Sequence, residues 1–368
     1  AANIDSLLLE ETFTVTTGHQ LCLFTGPLYF LYKIISTINL AEQLKEKYPN
    51  KNIVPIYWMA TEDHDYKEVD HVYIFGKKRS WDCEQSGAVG RMKLHNIDDV
   101  LNELRSILGE SENAMQLIQL FEKAYLEHQN LADASRYLVN EIFGQYGLVI
   151  IDGDDKKLKE QFIPLIKKDV IAKGFSETIR LCTKRLAEDY KAQAYVRDVN
   201  FFNLSDGSRG LIKGDISVTD IEESPEKFSP NVLMRPLYQE TVLPNLAYIG
   251  GGAEIAYWMQ LKTAFEQESI PFPVLLRTSL GVRGAKYVSL LRGFVGIFMF
   301  GVQTFFISKS IGYVIRIFLY EIDNQILSNE YLLMFFFGLN PLDWFSLFVT
   351  LLLQLYLFTK GQETNRTF

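Results

Sequence analysis

The sequence predicts an α/β fold built on a parallel sheet, and three observations carry that expectation. Two continuous apolar runs, Ile53–Met59 and Leu148–Ile151, read as strands covered on both faces, and each ends in a cluster of acids. Helical periodicity fills the chain between and after them, as βαβ units require. Third, the stretch Thr16–Lys33 carries an apolar run through a glycine turn into a long helical pattern.

Phe13 and Val15 open the first strand, which ends at Thr16-Thr17-Gly18. Thr25-Gly26-Pro27 then starts a helix, with Thr25 as cap and Pro27 at the first helical position, where its missing N–H costs nothing. Leu28, Leu31, Ile35 and Ile38 form its expected apolar face, beside Ile34 and Ala41. The Ile53–Met59 strand ends in Ala60-Thr61-Glu62-Asp63-His64-Asp65. Ligand crevices in open α/β sheets lie beyond the carboxyl ends of strands, so Glu62 to Asp65 are expected beside the Gly18 turn. His71–Phe75 has mixed strand character, and Gly76–Arg79 reads as a solvated turn. Residues 98–143 and 156–194 read as helices, and Phe201–Leu204 and Leu211–Val218 as strand-like. A further strand, Leu246–Ile249, leads into Gly250-Gly251-Gly252-Ala253-Glu254 and a helix, and Pro273–Arg277 reads as the last strand. Bare N–H groups at a positive helix end suit an anion, although three glycines are equally explained by a tightly packed turn.

Composition narrows the function classes. The 368 residues are 48% hydrophobic and 22% charged, a globular balance with ample chain for a core. A net charge of -8 argues against a nucleic-acid partner. Three scattered cysteines, Cys22, Cys83 and Cys182, build no disulfide framework, and the acidic opening AANIDSLLLEE does not read as a secretory signal. A cytoplasmic setting is expected. After about Gly281 the composition changes: about a fifth of the residues are aromatic and about one in seven is charged, against roughly a quarter before. The expected division is therefore a core over 1–280 and an apolar, mostly helical tail over 281–368.

The motifs TGHQLCLFTGPLYFLYK, WMATEDHDYKEV, Met234-Arg235-Pro236 and LPNLAYIGGGAEIAYWMQLK, in that order, resemble the bacillithiol biosynthesis cysteine-adding enzymes, the cysteine ligases. The resemblance runs from about Asp5 to Thr278. It implies a Rossmann-like core similar to class I aminoacyl-tRNA synthetases, helical insertions, and a homodimer formed through a C-terminal coiled coil. It also implies the last step of bacillithiol synthesis, joining cysteine to the amine of glucosaminyl malate, with ATP as the expected activator. Three departures stand out: His19 where the family often has glutamine, less sequence upstream than usual, and a tail without the coiled-coil heptads. That tail reads as out-of-frame or fused sequence, as a membrane-associated or amphipathic segment, or as a divergent helical domain. If it is foreign, this copy is an inactive, truncated family member.

The residues support a division of labour for amide formation. Backbone N–H groups at Gly18, Gly251 and Gly252 are candidates to hold phosphate or carboxylate oxygens. His19 and Gln20 are placed to donate to charge developing on an oxygen. His64, flanked by Glu62, Asp63 and Asp65, is the candidate general base on the glucosamine ammonium, with a carboxylate such as Asp63 orienting it. Lys33 and Arg235 are candidates for the malate carboxylates, with Tyr29, Glu62, Asp65 and Glu254 of the same motifs counted among the substrate-binding residues. Each assignment has a structural rival: a hydrogen-bonded His64, a solvated Lys33, an Arg235 that ties down a loop. Cys22 reads as packing. The rival function is a metal-dependent hydrolase using Glu62, Asp63, His64, Asp65 and His71, although consecutive strand residues point to opposite faces.

Overall fold

The computed structural model describes residues 2–205, 207–277 and 281–366. The chain divides into two compact units, Ala1–Thr278 and Ser279–Phe368. The strands among the described residues are β1 (Thr12–His19), β2 (Asn52–Met59), β3 (His71–Ile74), β4 (Lys77–Ser80), β5 (Val149–Asp152), β6 (Phe201–Ser205), β7 (Ser208–Leu211), β8 (Phe228–Pro230), β9 (Asn245–Gly250) and β10 (Val274–Arg277). Five of them form one parallel sheet in the order β10-β9-β1-β2-β5. β3 pairs with β4, and β6 lies between β7 and β8, in two small antiparallel sheets.

The continuous apolar run of β2 follows from its position inside this sheet. Val54, Ile56 and Trp58 pack on one face with Phe162, Ile166 and Tyr238. Tyr57 and Met59 pack on the other with Phe30, Ile34 and Ile38 of the Leu28–Lys47 helix. Alternation of period two feeds both layers, and each fully buried side chain contributes about 2 kcal/mol of transfer free energy.

Several local expectations need correction. The segment after β1 does not pass straight into the helix: Leu23–Thr25 makes a 3₁₀ turn, and Phe24 (φ 52°) and Thr25 (φ 71°) take left-handed angles. Thr25 is therefore no cap, and Pro27 is the cap residue rather than the first helical one. Gly26 (φ 61°) is obligatory there, since a Cβ would lie 2.3 Å from the Cβ of Cys22. The buried stripe of the following helix is Phe30, Lys33, Ile34, Thr37, Ile38 and Ala41, with Leu28 and Ile35 exposed. Gly76–Arg79 is not simply a turn, because Lys77–Ser80 pairs as β4. The strand-like reading of Leu211–Val218 fails: β7 stops at Leu211, and Val218–Glu223 is a helix opened by a Ser217–Asp220 capping box. The acids after β5 serve the fold. Asp155 caps the Lys156–Val170 helix, accepting from the Lys157 and Leu158 N–H groups, and Asp152 accepts from Thr61 Oγ1 and from the Asp154 N–H.

Chain order reverses at β1, which has β2 on one side and β9, some two hundred residues later, on the other. A buried polar bolt fixes that late pairing. Asn245 Oδ1 accepts from Thr14 Oγ1 (3.1 Å) and Thr16 Oγ1 (2.9 Å), while its Nδ2 donates to Glu240 Oε1 (2.9 Å). Burial pushes the Glu240 carboxyl up to about 8, against the hydrogen bonds from Asn245 and Gln239.

The second unit consists mainly of two helices, Gly281–Ile322 and Pro341–Arg366. They run antiparallel: Thr304 bonds Gln354 and Arg316 bonds Asp343.

The raised Glu240 group sets a pH dependence of stability. The native state holds a proton that the unfolded chain releases near pH 4.5, so stability is full below that value and falls as pH rises to about 8. Glu240→Gln keeps the acceptor oxygen and removes the ionisation. Thermal unfolding at pH 5 and pH 8 should show the variant gaining a few degrees over the parent at pH 8 and little at pH 5.

Candidate active site

A cavity of about 770 Å³ opens at the carboxyl ends of β1, β2 and β9. This is the topological switch point between β1 and β9, where α/β sheets bind their ligands. Gly18, His19 and Gln20 from β1 and its exit line it, as do Glu62, Asp63 and His64 from the exit of β2. Arg235, Tyr248, Glu254 and Tyr257 line the β9 side. The glycine bend and the acid-histidine cluster thus share one hollow, and Gln20 Nε2 donates to Asp63 Oδ2 at 2.7 Å.

Two buried lysines frame the cavity without entering it. Lys33, fully buried, donates to Glu254 Oε2 (2.6 Å) and to the Gly18 carbonyl. Burial works against the Glu254 charge, yet Lys33, the Gly251 N–H (2.6 Å) and Tyr248 Oη (2.8 Å) hold its carboxyl below the usual carboxylate range. Lys159, also fully buried, meets Glu62 Oε1 at 2.5 Å and the Phe228 carbonyl at 3.2 Å. Burial pushes the Glu62 carboxyl up, opposed by Lys159.

Two guanidinium groups face the hollow. Arg235 lies against the rings of Tyr248 (5.5 Å) and Trp258 (5.9 Å) and donates to Gln239 Oε1 (3.0 Å). A Cβ at Gly18 would stand 3.1 Å from Tyr248 Oη and 3.4 Å from Arg235 Nη1, so a side chain there would crowd both groups. Arg209, on β7, stacks over Phe202 (4.3 Å) and is anchored on Ser229 Oγ (2.9 Å) and the Pro230 carbonyl (2.8 Å). The acids oppose them. Gln20 Nε2 also donates to Glu68 Oε2 (2.6 Å), so one amide holds two carboxylates at the rim.

This geometry changes several of the expected roles. Lys33 is committed to Glu254 and Gly18, so it holds the site together rather than binding malate. The Gly251 N–H is taken by Glu254, and neither Gly251 nor Gly252 lines the cavity. Gly18 lies within β1 and presents its carbonyl to Lys33, so the backbone anion cradle gives way to Arg235 and Arg209. Tyr29 and Asp65 lie outside the lining; Asp65 donates its N–H to Asp63 Oδ1 (3.3 Å). His64 Nδ1 faces Arg209 Nη1 at 3.1 Å and stands 3.6 Å from Asp63 Oδ1. Arginine only donates, so Nδ1 is the acceptor and the ring proton sits on Nε2, which leaves no free lone pair for a general base. Burial and the neighbouring Lys33 lower His19 to about 4, making it a neutral imidazole whose Nε2 is buried without a protein partner among the described residues. Burial, with Glu68 and Asp63 nearby, raises the Cys22 thiol to about 11, in keeping with packing.

Sequence reasoning missed Arg209, Lys159, Glu68, Tyr248 and Tyr257. Lys159 left a signal, since Lys159, Phe162 and Ile166 share one helix stripe, and a lysine in an apolar stripe needs a buried partner. Arg209 left none, because a distant hairpin delivers it. The metal-hydrolase ligands point apart: Glu62 to Lys159, Asp63 to Gln20, His64 to Arg209 and His71 to Asp70. Among the described residues no three His, Cys, Asp or Glu side chains converge as metal ligands.

Residues 1–278 match the family model described as bacillithiol biosynthesis BshC, N-terminal Rossmann-like domain. The chain belongs to the BshC family. A protein from Flavobacterium johnsoniae named "Putative cysteine ligase BshC" is 49% identical over 290 residues, covering 74% of this chain and 55% of that protein. Identically named proteins from Christiangramia forsetii and Staphylococcus saprophyticus are 49% identical over 296 residues and 30% over 308, covering 75% and 74% of this chain and 55% and 56% of their own lengths. The chain spans about half the length of the curated relatives it matches. The BshC match ends where the first compact unit ends.

The Lys33–Glu254 pair gives a direct test of this architecture. Lys33→Met strands a largely buried carboxylate and should cost about 3 kcal/mol in denaturant unfolding. Adding Glu254→Gln should restore part of that loss, because the second change removes the orphaned charge.

Proposed function

We propose that this chain acts as a cysteine ligase of bacillithiol biosynthesis, joining L-cysteine to the amine of glucosaminyl malate in the last step, with ATP as co-substrate. The observation that carries the reading is the cavity at the β1/β9 switch point, lined by two guanidiniums and a cluster of carboxylates, within a BshC-family unit. Substrates bearing carboxylates and amines need both kinds of wall. Arg235 and Arg209 bind carboxylate or phosphate oxygens, each prearranged by stacking on an aromatic ring. Asp63 and Glu68, held by Gln20, bind an ammonium group and take its proton as the amine becomes a nucleophile.

A carboxylate does not expel hydroxide, so consumption of ATP supplies the leaving group. The amine nitrogen then forms the C–N bond as the activated oxygen departs with its phosphate group. The Nε2–H of His64 donates to that carbonyl oxygen, with neutral His19 lining the wall beside it. The buried Lys33 and Lys159 act through Glu254 and Glu62, keeping carboxylates in place without taking up the substrate's anions.

Incubating the full chain with ATP, cysteine and glucosaminyl malate should yield bacillithiol by mass spectrometry and consume ATP only when both other substrates are present. Asp63→Asn should lower kcat/KM by about a hundredfold and Gln20→Ala by about tenfold, with unchanged melting curves. ATP consumption independent of cysteine, or full activity in Asp63→Asn, would remove the assignment.

A further inference from the structure

The second unit is built inside out. Its helices meet along a polar seam: Thr304, Ser308, Asp343, Ser346 and Thr350 are buried, and Thr304 Oγ1 and the Gln354 amide bond each other at 3.0 to 3.1 Å. Gly312 lets Ser346 approach, since a Cβ there would lie 3.1 Å from Ser346 Oγ. The outer surface is hydrocarbon, with Phe294, Ile297, Phe298, Phe318, Phe348 and Phe358 all more than half exposed. A soluble core helix hides its apolar side, but only 6% and 17% of an 18-residue apolar window in each span are buried here.

The dimensions and charges fit one surrounding. The spans Leu290–Ile322 and Pro341–Thr359, of 33 and 19 residues, are about 50 Å and 28 Å long as helices, against a hydrocarbon layer of about 30 Å. The polar residues that interrupt the apolar runs mostly turn inward. Ser308 is in the seam, and Lys309 and Arg316 both pair with Asp343, at 3.3 and 2.9 Å. Gln303 and Ser310 face out, and Ser310 returns its hydroxyl to the Phe306 carbonyl at 3.0 Å. Charge is segregated along the hairpin. Arg283 and Lys286 lead into it, Arg292 sits at the start of the first span, and Lys360 and Arg366 follow the second, whereas between Arg316 and Lys360 there is no Lys or Arg, and Glu321, Asp323 and Glu330 flank the connection. Tyr320 and Trp344, amphipathic rings suited to a membrane–water boundary, are exposed at the connecting end.

We propose that this hairpin inserts into the hydrocarbon core of a lipid bilayer, with the chain entering and leaving on the cytoplasmic side and the acidic connection on the other. Polar side chains satisfy one another across the helix pair while the aromatic exterior meets acyl chains, and the basic ends stay in the cytoplasm under the positive-inside rule.

The test uses the full chain with extruded phosphatidylethanolamine–phosphatidylglycerol vesicles. The protein should float with the vesicles in a density gradient and remain with them after an alkaline carbonate wash. Phe298→Asp combined with Leu352→Asp, both on the outer face, should lower the floated fraction about tenfold. In intact cells a membrane-impermeant maleimide should label Asn324→Cys in the connection, whereas Cys182 should be labelled only after lysis. A chain that stays soluble, sediments without floating, washes off with carbonate or shows the reverse labelling would overturn the proposal.

Discussion

The site depends on a lysine ammonium that has no access to water. Lys33 lies on the buried stripe of its helix, and an uncompensated charge there would cost several kcal/mol. Its partners come from two other places: the carbonyl of Gly18 near the end of β1 and the carboxylate of Glu254, three residues past Gly251. Satisfying one charge therefore ties together the first strand, the first long helix and the turn after β9. Tyr248 and the Gly251 N–H complete the Glu254 shell, and Arg235 lies over the Tyr248 ring. The wall of the cavity on the β9 side is built from the groups that keep this ion pair neutral overall.

Across the hollow a second buried lysine, Lys159, does the same for Glu62. The two pairs divide the polar groups into those that hold the shape and those left to meet a ligand. Arg209, Arg235, Asp63, Glu68, His19 and His64 line the space, while Lys33 and Lys159 stay behind it. A pocket whose charges are fixed by stacking and by a shared amide loses little entropy when a zwitterionic substrate arrives. That arrangement suits a ligand that carries both anionic and cationic groups.

Much of this was legible in the sequence, for a physical reason. Strands covered on both faces must be apolar throughout, so β2 and β5 showed as uninterrupted runs, and the residues following β2 pointed to the crevice. The periodicity of the first helix is less transparent, because Leu28, Leu31 and Ile35 make an apolar row although the buried face passes through Phe30, Lys33 and Thr37. A pattern that counts only apolar residues misplaces a face that buries a lysine and a threonine. The Thr25 cap failed through the left-handed angles at Phe24 and Thr25, which sequence does not advertise for such residues. Arg209 was invisible because its place depends on how a hairpin folds over from more than a hundred residues away.

The bolt at Asn245 has a consequence for how the molecule comes into being. Thr14 and Asn245 are 231 residues apart, and the cavity wall on the β9 side does not exist until they meet. During synthesis β1 must wait, one edge bare, while most of the chain emerges from the ribosome. Pairings this remote close slowly, and an exposed parallel edge invites association with other strands meanwhile. The TFTVT segment puts three threonines on one face of β1, two of which later dock on Asn245, so the waiting strand is more polar than its neighbour β2.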